Sequence, residues 1–245
     1  MRFYDTWDSK SLVSVTTIND VIDKPSLRKW YGTSAGRRCV ENLEEVAQRL
    51  KAEGKLKTID WLADAANEKR DNSAATGTRV HKGIERLIEG TELETVMDDM
   101  HSQRERQLIE GYLSFKEDYE LEVEQQEVAV CNPGHGWAGR YDVAGRCYGS
   151  FGESVVIDWK TGATGPHATW ALQLAAYAHG THLVTGGVAP PVSRNRALAV
   201  RLYPGSYSTH WLDGQDGRAS LKELYMVFRA TRVVWEFEQQ SVLWN

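Results

Sequence analysis

The stretch VVIDWKTG, residues 155–162, sets two charges inside a run of branched apolar residues and a tryptophan. The run reads as a buried strand, and burying an unpaired charge costs several kcal/mol, so Asp158 and Lys160 need a purpose. Side chains alternate along a strand, which puts Asp158 and Lys160 on one face and Trp159 on the other. The preceding segment, GRYD, offers a second carboxylate, Asp142, and the turn between the two segments allows the acids to be neighbours. Carboxylates held close repel unless a proton or a cation lies between them. Oxygen ligands on a rigid sheet suit Mg2+ or Mn2+, which take few protein groups and keep waters for a substrate. An ammonium one strand-step away would meet whatever the metal binds, so Lys160 is placed to orient a water or to offset charge growing on a phosphate. The chemistry open to these residues is that of a metal-and-phosphate site. The spacing is short, however, and an Asp–Lys pair at a strand end is commonly a surface ion pair worth little.

The elements that must position these groups follow from periodicity. SVTTINDVI (14–22) is a capped helix start that Pro25 interrupts, and residues 40–53 and 57–69 have helical spacing split at Gly54. AATGTRVHKGIERLIEG (74–90) aligns Val80, Ile84, Leu87 and Ile88 on one face and ends in a C-capping Gly90; a further helix is expected over 99–119. The period then shortens. Residues 124–130, 136–145 and 153–159 read as strands, 167–180 as a helix, 197–203 and 207–212 as a hairpin, and 218–239 as a closing helix. The order predicts an α/β chain with a mixed central β-sheet flanked by helices. It reads as a single domain over 1–245: a mainly helical N-terminal part (1–120), core strands and helix (121–183), then the β-hairpin and C-terminal helix (184–245).

Composition narrows the class. A 41% hydrophobic content with 9 Trp supports a real core, and the net charge of −5 argues against a global basic coat while permitting a local basic groove. Cys39, Cys131 and Cys147 are scattered, with no CxxC pair, which suits a reducing compartment. The opening MRFYDTWDSK has no apolar core of an export signal, and no run reaches membrane-spanning length. The expectation is a soluble chain of the cytoplasm (the host cell's, if phage-encoded) without a membrane partner.

Taken together, GRYD, VIDWKTG and QLAAYA resemble the PD-(D/E)XK nuclease superfamily, and its RecB-like exonuclease branch in particular, which includes CRISPR-associated exonucleases. GTRVHKGIE (77–85) resembles that branch's histidine-bearing helix, and SVTTI is similar to the opening of such domains. The resemblance spans residues 14 to 180 and implies a restriction-endonuclease-like core. It implies that Asp142 and Asp158 are the metal-binding acids, Lys160 the catalytic lysine and His81 an added metal ligand. It also implies that the Trp159 carbonyl completes the metal shell. Gln173 and Tyr177 match the Q-x-x-x-Y pair, four residues apart on one helical face and able to reach a substrate backbone or brace the site. Glu85, one turn after His81, is an auxiliary candidate that reads more readily as a solvent-facing residue. Glu127 could approach the metals or serve edge-strand solubility. His179 and His182 are spaced like a ligand pair, but a helix end near Gly180 accounts for them better. Branch members that hold an iron–sulfur cluster use four cysteines; this chain has three, none near its C-terminus, so no cluster is expected.

KPSLRKWYGTSAGRR (24–38) holds Lys24, Arg28, Lys29, Arg37 and Arg38 without an acid, with Trp30 and Tyr31 between them. Cations for phosphates beside rings for bases are what a single-strand path needs, and a basic loop with its rings turned inward would look the same. Arg194, Arg196 and Arg201 form a second basic set. The expected function is a divalent-metal-dependent DNA exonuclease acting on single strands or duplex ends in recombination, repair or phage DNA processing. The alternatives are a structure-specific endonuclease or resolvase, and a non-catalytic DNA-binding member of the fold. Nothing in the sequence names a protein partner or a role for 184–245.

Overall fold

Alternation of apolar residues fixes where the core lies. In β5 (Val155–Lys160) Val156 faces one side of the sheet, while Val155, Ile157 and Trp159 face the other. In β7 (Ala197–Tyr203) Ala197 and Ala199 take the first side, and Leu198, Val200 and Leu202 the second. Burial on both faces is what a central parallel pair requires, and β5 and β7 run parallel with Lys160 beside Arg201. A computed structural model describes residues 1–22, 25–162 and 167–241, with the backbone alone for 25–28 and 241. It forms an α/β fold with a mixed sheet of eight strands flanked by helices. The main path is β1 (Phe3–Asp5), β2 (Ser11–Ser14), β4 (Trp137–Arg146), β5, β7 and β8 (Ser206–Leu212). The long β3 (Glu122–Asn132) pairs with β4, and the two-residue β6 (His182–Leu183) pairs with β3.

Helices α1 (Val15–Asn19), α7 (Ala168–Ala178) and α8 (Leu221–Ser241) cover one face. The other face is packed by α6 (Gln103–Asp118), α5 (Leu93–Asp98) and the end of α4 (Lys55–Ile88). The chain divides into two compact units: residues 1–22 with 79–245, which hold the sheet, and 23–78, which hold α2 (Pro25–Glu41), α3 (Leu43–Ala52) and the first part of α4. Among the described residues no helix is long and apolar enough to cross a membrane.

Three departures from the sequence reading have physical causes. The N-terminal part gives two strands to the sheet, each too short for alternation to register, while the capped helix start at SVTTI is present as expected, the Thr17 N–H donating to Ser14 Oγ at 3.1 Å. The helices expected over 57–69 and 74–90 are one helix, because Arg70–Ser73 is polar but holds neither Pro nor Gly to stop it. Gly54, with φ of +84°, does separate α3 from α4 as its sequence position suggests. The segment 24–38 is no loop: α2 takes all of it from Pro25 onward.

Helix α8 packs on α7 with Leu221, Tyr225 and Phe228, and Tyr225 adds polar contacts. The Tyr225 hydroxyl lies 3.2 Å from Asn132 Nδ2, 3.1 Å from Trp137 Nε1 and 2.6 Å from His135 Nδ1. Its ring stacks on His179, the C-cap of α7, with centroids 4.2 Å apart and planes 7° from parallel.

Helix α6 approaches the β7–β8 turn at Gly111, where a Cβ would stand 2.4 Å from the Ser206 carbonyl oxygen and 2.7 Å from that of Tyr203. Helix propensity alone favours Ala over Gly by roughly 0.5–1 kcal/mol. Here the clash with backbone must win, so Gly111→Ala is expected to destabilise by about 1–3 kcal/mol. Gly36→Ala, on exposed α2 with nothing within 4 Å of the added carbon, should stabilise slightly. Opposite shifts of the melting temperature in differential scanning calorimetry are the expected result.

Candidate active site

Asp142 sits where the sheet opens. On one edge β4 pairs with β2 at Trp137 and Ala138, then with β5 only from Val143 to Gly145. Extended by one residue, the β4–β5 register would set Asp142 opposite Asp158. The strands part there, and the Trp159 N–H donates to Asp142 Oδ2 at 2.8 Å. A side-chain oxygen thus takes the place of a ladder carbonyl, which keeps a buried backbone donor satisfied. Alternation also breaks at this point: Tyr141 packs with the α1–α7–α8 core, but Val143, two residues on, packs with the α6 core. On β3, the neighbouring Glu127 has a left-handed φ of +53°. The irregularity lets Asp142 reach a helix on one face while it stays beside an acid on the other.

That helix is α4. Val80 and Ile84 bury it in the α6 core, which aims His81 at Asp142, with Nδ1 to Oδ1 at 3.3 Å. Asp158, 3% exposed, is ion-paired with Lys160. Lys160 Nζ donates to Gln173 Oε1 at 2.9 Å, and Gln173 Nε2 donates to the Tyr177 hydroxyl at 3.0 Å. The motif on α7 therefore braces the lysine of β5. Tyr177 lies flat enough against β4 that a Cβ on Gly139 would come within 2.5 Å of its ring, so only glycine admits it there.

Electrostatics set the two acids apart. Burial pushes the Asp158 carboxyl upward, reinforced by the charge of Asp142 and opposed by Lys160 and His81. Burial acts the same way on Asp142, but His81, the Trp159 N–H and Lys160 outweigh it and hold that carboxyl below its ordinary value. For His81, burial disfavours the charged ring, yet Asp142 and Asp158 prevail and raise it. Tyr177 is pushed upward mainly by burial and next by Asp158, so it stays a neutral phenol.

Among the described residues no three His, Cys, Asp or Glu side chains converge on one point. The donor set still suits a hard cation. Asp158 Oδ2 is buried against the Lys160 ammonium, and a second acid and an imidazole stand nearby to complete an oxygen-and-nitrogen donor set. A strand residue directs its N–H and its C=O toward the same edge, so the Trp159 carbonyl faces the opening where its N–H meets Asp142. The Trp159 ring points away, edge-on to Tyr112 and Phe115 at 5.3 and 5.6 Å.

The auxiliary acids share this neighbourhood. Glu85 and Glu127 line a small recess with His81 and Asp142. Glu85 pairs with Lys82 at 2.8 Å, and Glu127 with Arg140 at 2.9 Å. Burial raises the Glu127 carboxyl against the pull of Arg140. His179 and His182 are no ligand pair: the first stacks on Tyr225 and the second on Trp7. The basic set of 24–38 belongs to the other unit. Lys24 and the Arg28 side chain lie outside the described residues. Lys29 and Arg37 are exposed, Trp30 meets Tyr31 edge-on at 5.3 Å, and Arg38 pairs with Glu68 and donates to the Trp61 carbonyl at 2.7 Å. Arg196 is likewise engaged, donating to the Gly149 carbonyl at 2.6 Å.

Sequence reasoning passed over Trp170. Its ring lies 5.6 Å from Lys160 Nζ and 6.4 Å from the ring of His210. Its position one turn before Gln173 on α7 was the available signal.

No family model and no curated protein matches this chain. Among solved structures, that of SSO0001 is similar over 91% of this chain and 75% of its own, at 16% identity and a TM-score of 0.39, a likeness too slight to carry an argument.

Removing the lysine should expose the cost of the buried acid. In metal-free buffer Lys160→Met is expected to destabilise by about 1–3 kcal/mol near pH 7, less than for a fully dry pair because Lys160 keeps some solvent. Asp158 has a raised pKa in the folded chain, so the folded state holds more protons than the unfolded one above the ordinary carboxylate range. Its burial therefore costs stability at high pH, and the deficit of the variant should shrink as pH is lowered toward about 5. Urea denaturation at the two pH values checks this; an equal deficit at both would refute the pairing.

Proposed function

We propose that this chain is a divalent-metal-dependent deoxyribonuclease of the PD-(D/E)XK type, and an exonuclease that serves DNA recombination, repair or phage DNA processing. One observation supports the reading above others. Two acids meet at the parting of β4 and β5, with a lysine two residues past the second acid and bonded in series to Gln173 and Tyr177. A structural ion pair needs neither a second carboxylate nor a broken ladder.

In this reading Asp142, Asp158 and His81 would hold Mg2+ or Mn2+, with the Trp159 carbonyl beside them. The cation, when bound, supplies Lewis-acid polarisation of the phosphate and acidifies a water. The chain's own residues do the rest. Lys160, held by Gln173, presents its ammonium beside Asp158, where it orients the water and offsets charge on the phosphoryl oxygens. Tyr177, neutral and fixed against β4, keeps Gln173 from swinging away. The buried setting strengthens each of these charge contacts relative to water.

The decisive assay uses end-labelled linear DNA and closed circular DNA, with and without Mg2+ or Mn2+. The wild type should degrade the linear substrate only with metal. Asp158→Asn should lose about a hundredfold or more of that rate. Manganese should also raise the melting temperature of the wild type and not of the variant. Cleavage of closed circles would make the enzyme an endonuclease, and binding without metal-stimulated cleavage would leave a DNA-binding protein.

A further inference from the structure

Lys160 has a neighbour that the metal-and-phosphate chemistry does not use. Arg201 on β7 is its register partner across the parallel β5–β7 pair, so the two side chains leave the same face of the sheet on strands about 4.8 Å apart. The same face continues on β8, where His210 stands opposite Ala199 and Ser208 opposite Arg201. Ser208 Oγ and His210 Nε2 are 3.3 Å apart. Trp170 closes the strip from α7, with its ring near both Lys160 and His210. The Arg201 guanidinium is not loose: its Nε donates to the Gly162 carbonyl at 3.2 Å, and its Cζ lies 4.6 Å over the Tyr203 ring. A cation oriented in this way loses little freedom when it meets an anion.

The β3 side of the centre offers a phosphate less. There Glu85 and Glu127 line the recess next to Asp142, and their cationic partners Lys82 and Arg140 are already taken. A phosphate chain reaching the acids therefore meets ion-paired carboxylates toward β3 and the adjacent cations Lys160 and Arg201 toward β7, in a protein whose net charge is −5. We infer that Arg201 holds the phosphate adjacent to the scissile one, and that the substrate strand follows the Lys160–Arg201–Ser208 row at the strand ends, along the border of the face that α7 covers. The inference rests on the nuclease reading for what happens at Lys160, but the strip itself is a binding site for a single polynucleotide strand with at least one phosphate beyond the reacting one. A wall formed by one ring, an imidazole and a hydroxyl suits one strand laid along the sheet, with its bases free to meet Trp170.

The test separates binding from cleavage. The probe is a fluorescein-labelled single-stranded DNA oligonucleotide, with affinity read by anisotropy in EDTA across a salt series. For Arg201→Ala the slope of log K against log salt should fall in magnitude by about 0.7, the share of one phosphate on a single strand. Affinity should drop about five- to tenfold, and Arg201→Lys should restore the slope. A second arm changes the DNA alone. One neutral methylphosphonate linkage is moved along the strand; a single position should weaken wild-type binding by a similar factor and leave Arg201→Ala unaffected. A role confined to holding Gly162 and Tyr203 would not give that position-specific insensitivity. Equal slopes for wild type and Arg201→Ala, or equal sensitivity of both to every neutral linkage, would overturn the inference. With Mn2+ added, cleavage by a wild type whose strand binding ignores Arg201 removes the strip and keeps the nuclease. Loss of binding on Arg201→Ala in a wild type that cleaves nothing keeps the strip and removes the nuclease.

Discussion

The bond from the Trp159 N–H to Asp142 is the constraint around which the site is arranged. An antiparallel ladder normally consumes every inward N–H and C=O, leaving no backbone carbonyl for a ligand and no gap for a side chain between strands. Substituting a carboxylate oxygen for one ladder acceptor lets β4 and β5 separate without orphaning a buried donor. It also turns the other carboxylate oxygen toward His81. A single polar substitution in the hydrogen-bond pattern thus opens the sheet, fixes one acid and ties it to α4.

Around that bond four ionisable groups come close to charge balance. Two carboxylates, an imidazole and an ammonium are grouped in a setting where none would be tolerated alone. The outcome is asymmetric: Asp142, with a backbone donor and an imidazole, keeps its charge readily, whereas Asp158, more buried and relying on Lys160, holds its charge at a cost. Gln173 and Tyr177 add no net charge. They fix the ammonium, which is the member of the group with the longest and most flexible stem.

Much of this was legible in the chain itself. The strands from 122 to 160 were readable because alternation and turn residues agree there, and Asp158, Lys160, Gln173 and Tyr177 make one series of contacts while Asp142 is bonded to the Trp159 N–H on the same strand as Asp158. The N-terminal strands were hidden by their length, since three or four residues cannot display a period. The break in alternation at Asp142 was invisible because it depends on the partner strand and on a left-handed Glu127 that no local signal announces. The nearness of Arg201 to Lys160 was hidden too: forty residues separate them, and only the parallel register of β5 and β7 brings them together. The basic segment 24–38 misled for another reason. A run of cations with two rings looks like an extended path, yet as a helix it spreads those side chains around its circumference, and Arg38 turns to Glu68 and Trp61.

Tyr225 has a consequence for how the molecule is made. Helix α7, which carries Gln173 and Tyr177, leaves the ribosome well before its support, because the ring that packs on its C-cap and the Leu221 and Phe228 side chains buried nearby arrive with α8. Until those later residues emerge, the nascent chain lacks the brace that seats α7 on the sheet. Synthesis order thus leaves α7 waiting for its last packing partners, which only the finished chain supplies.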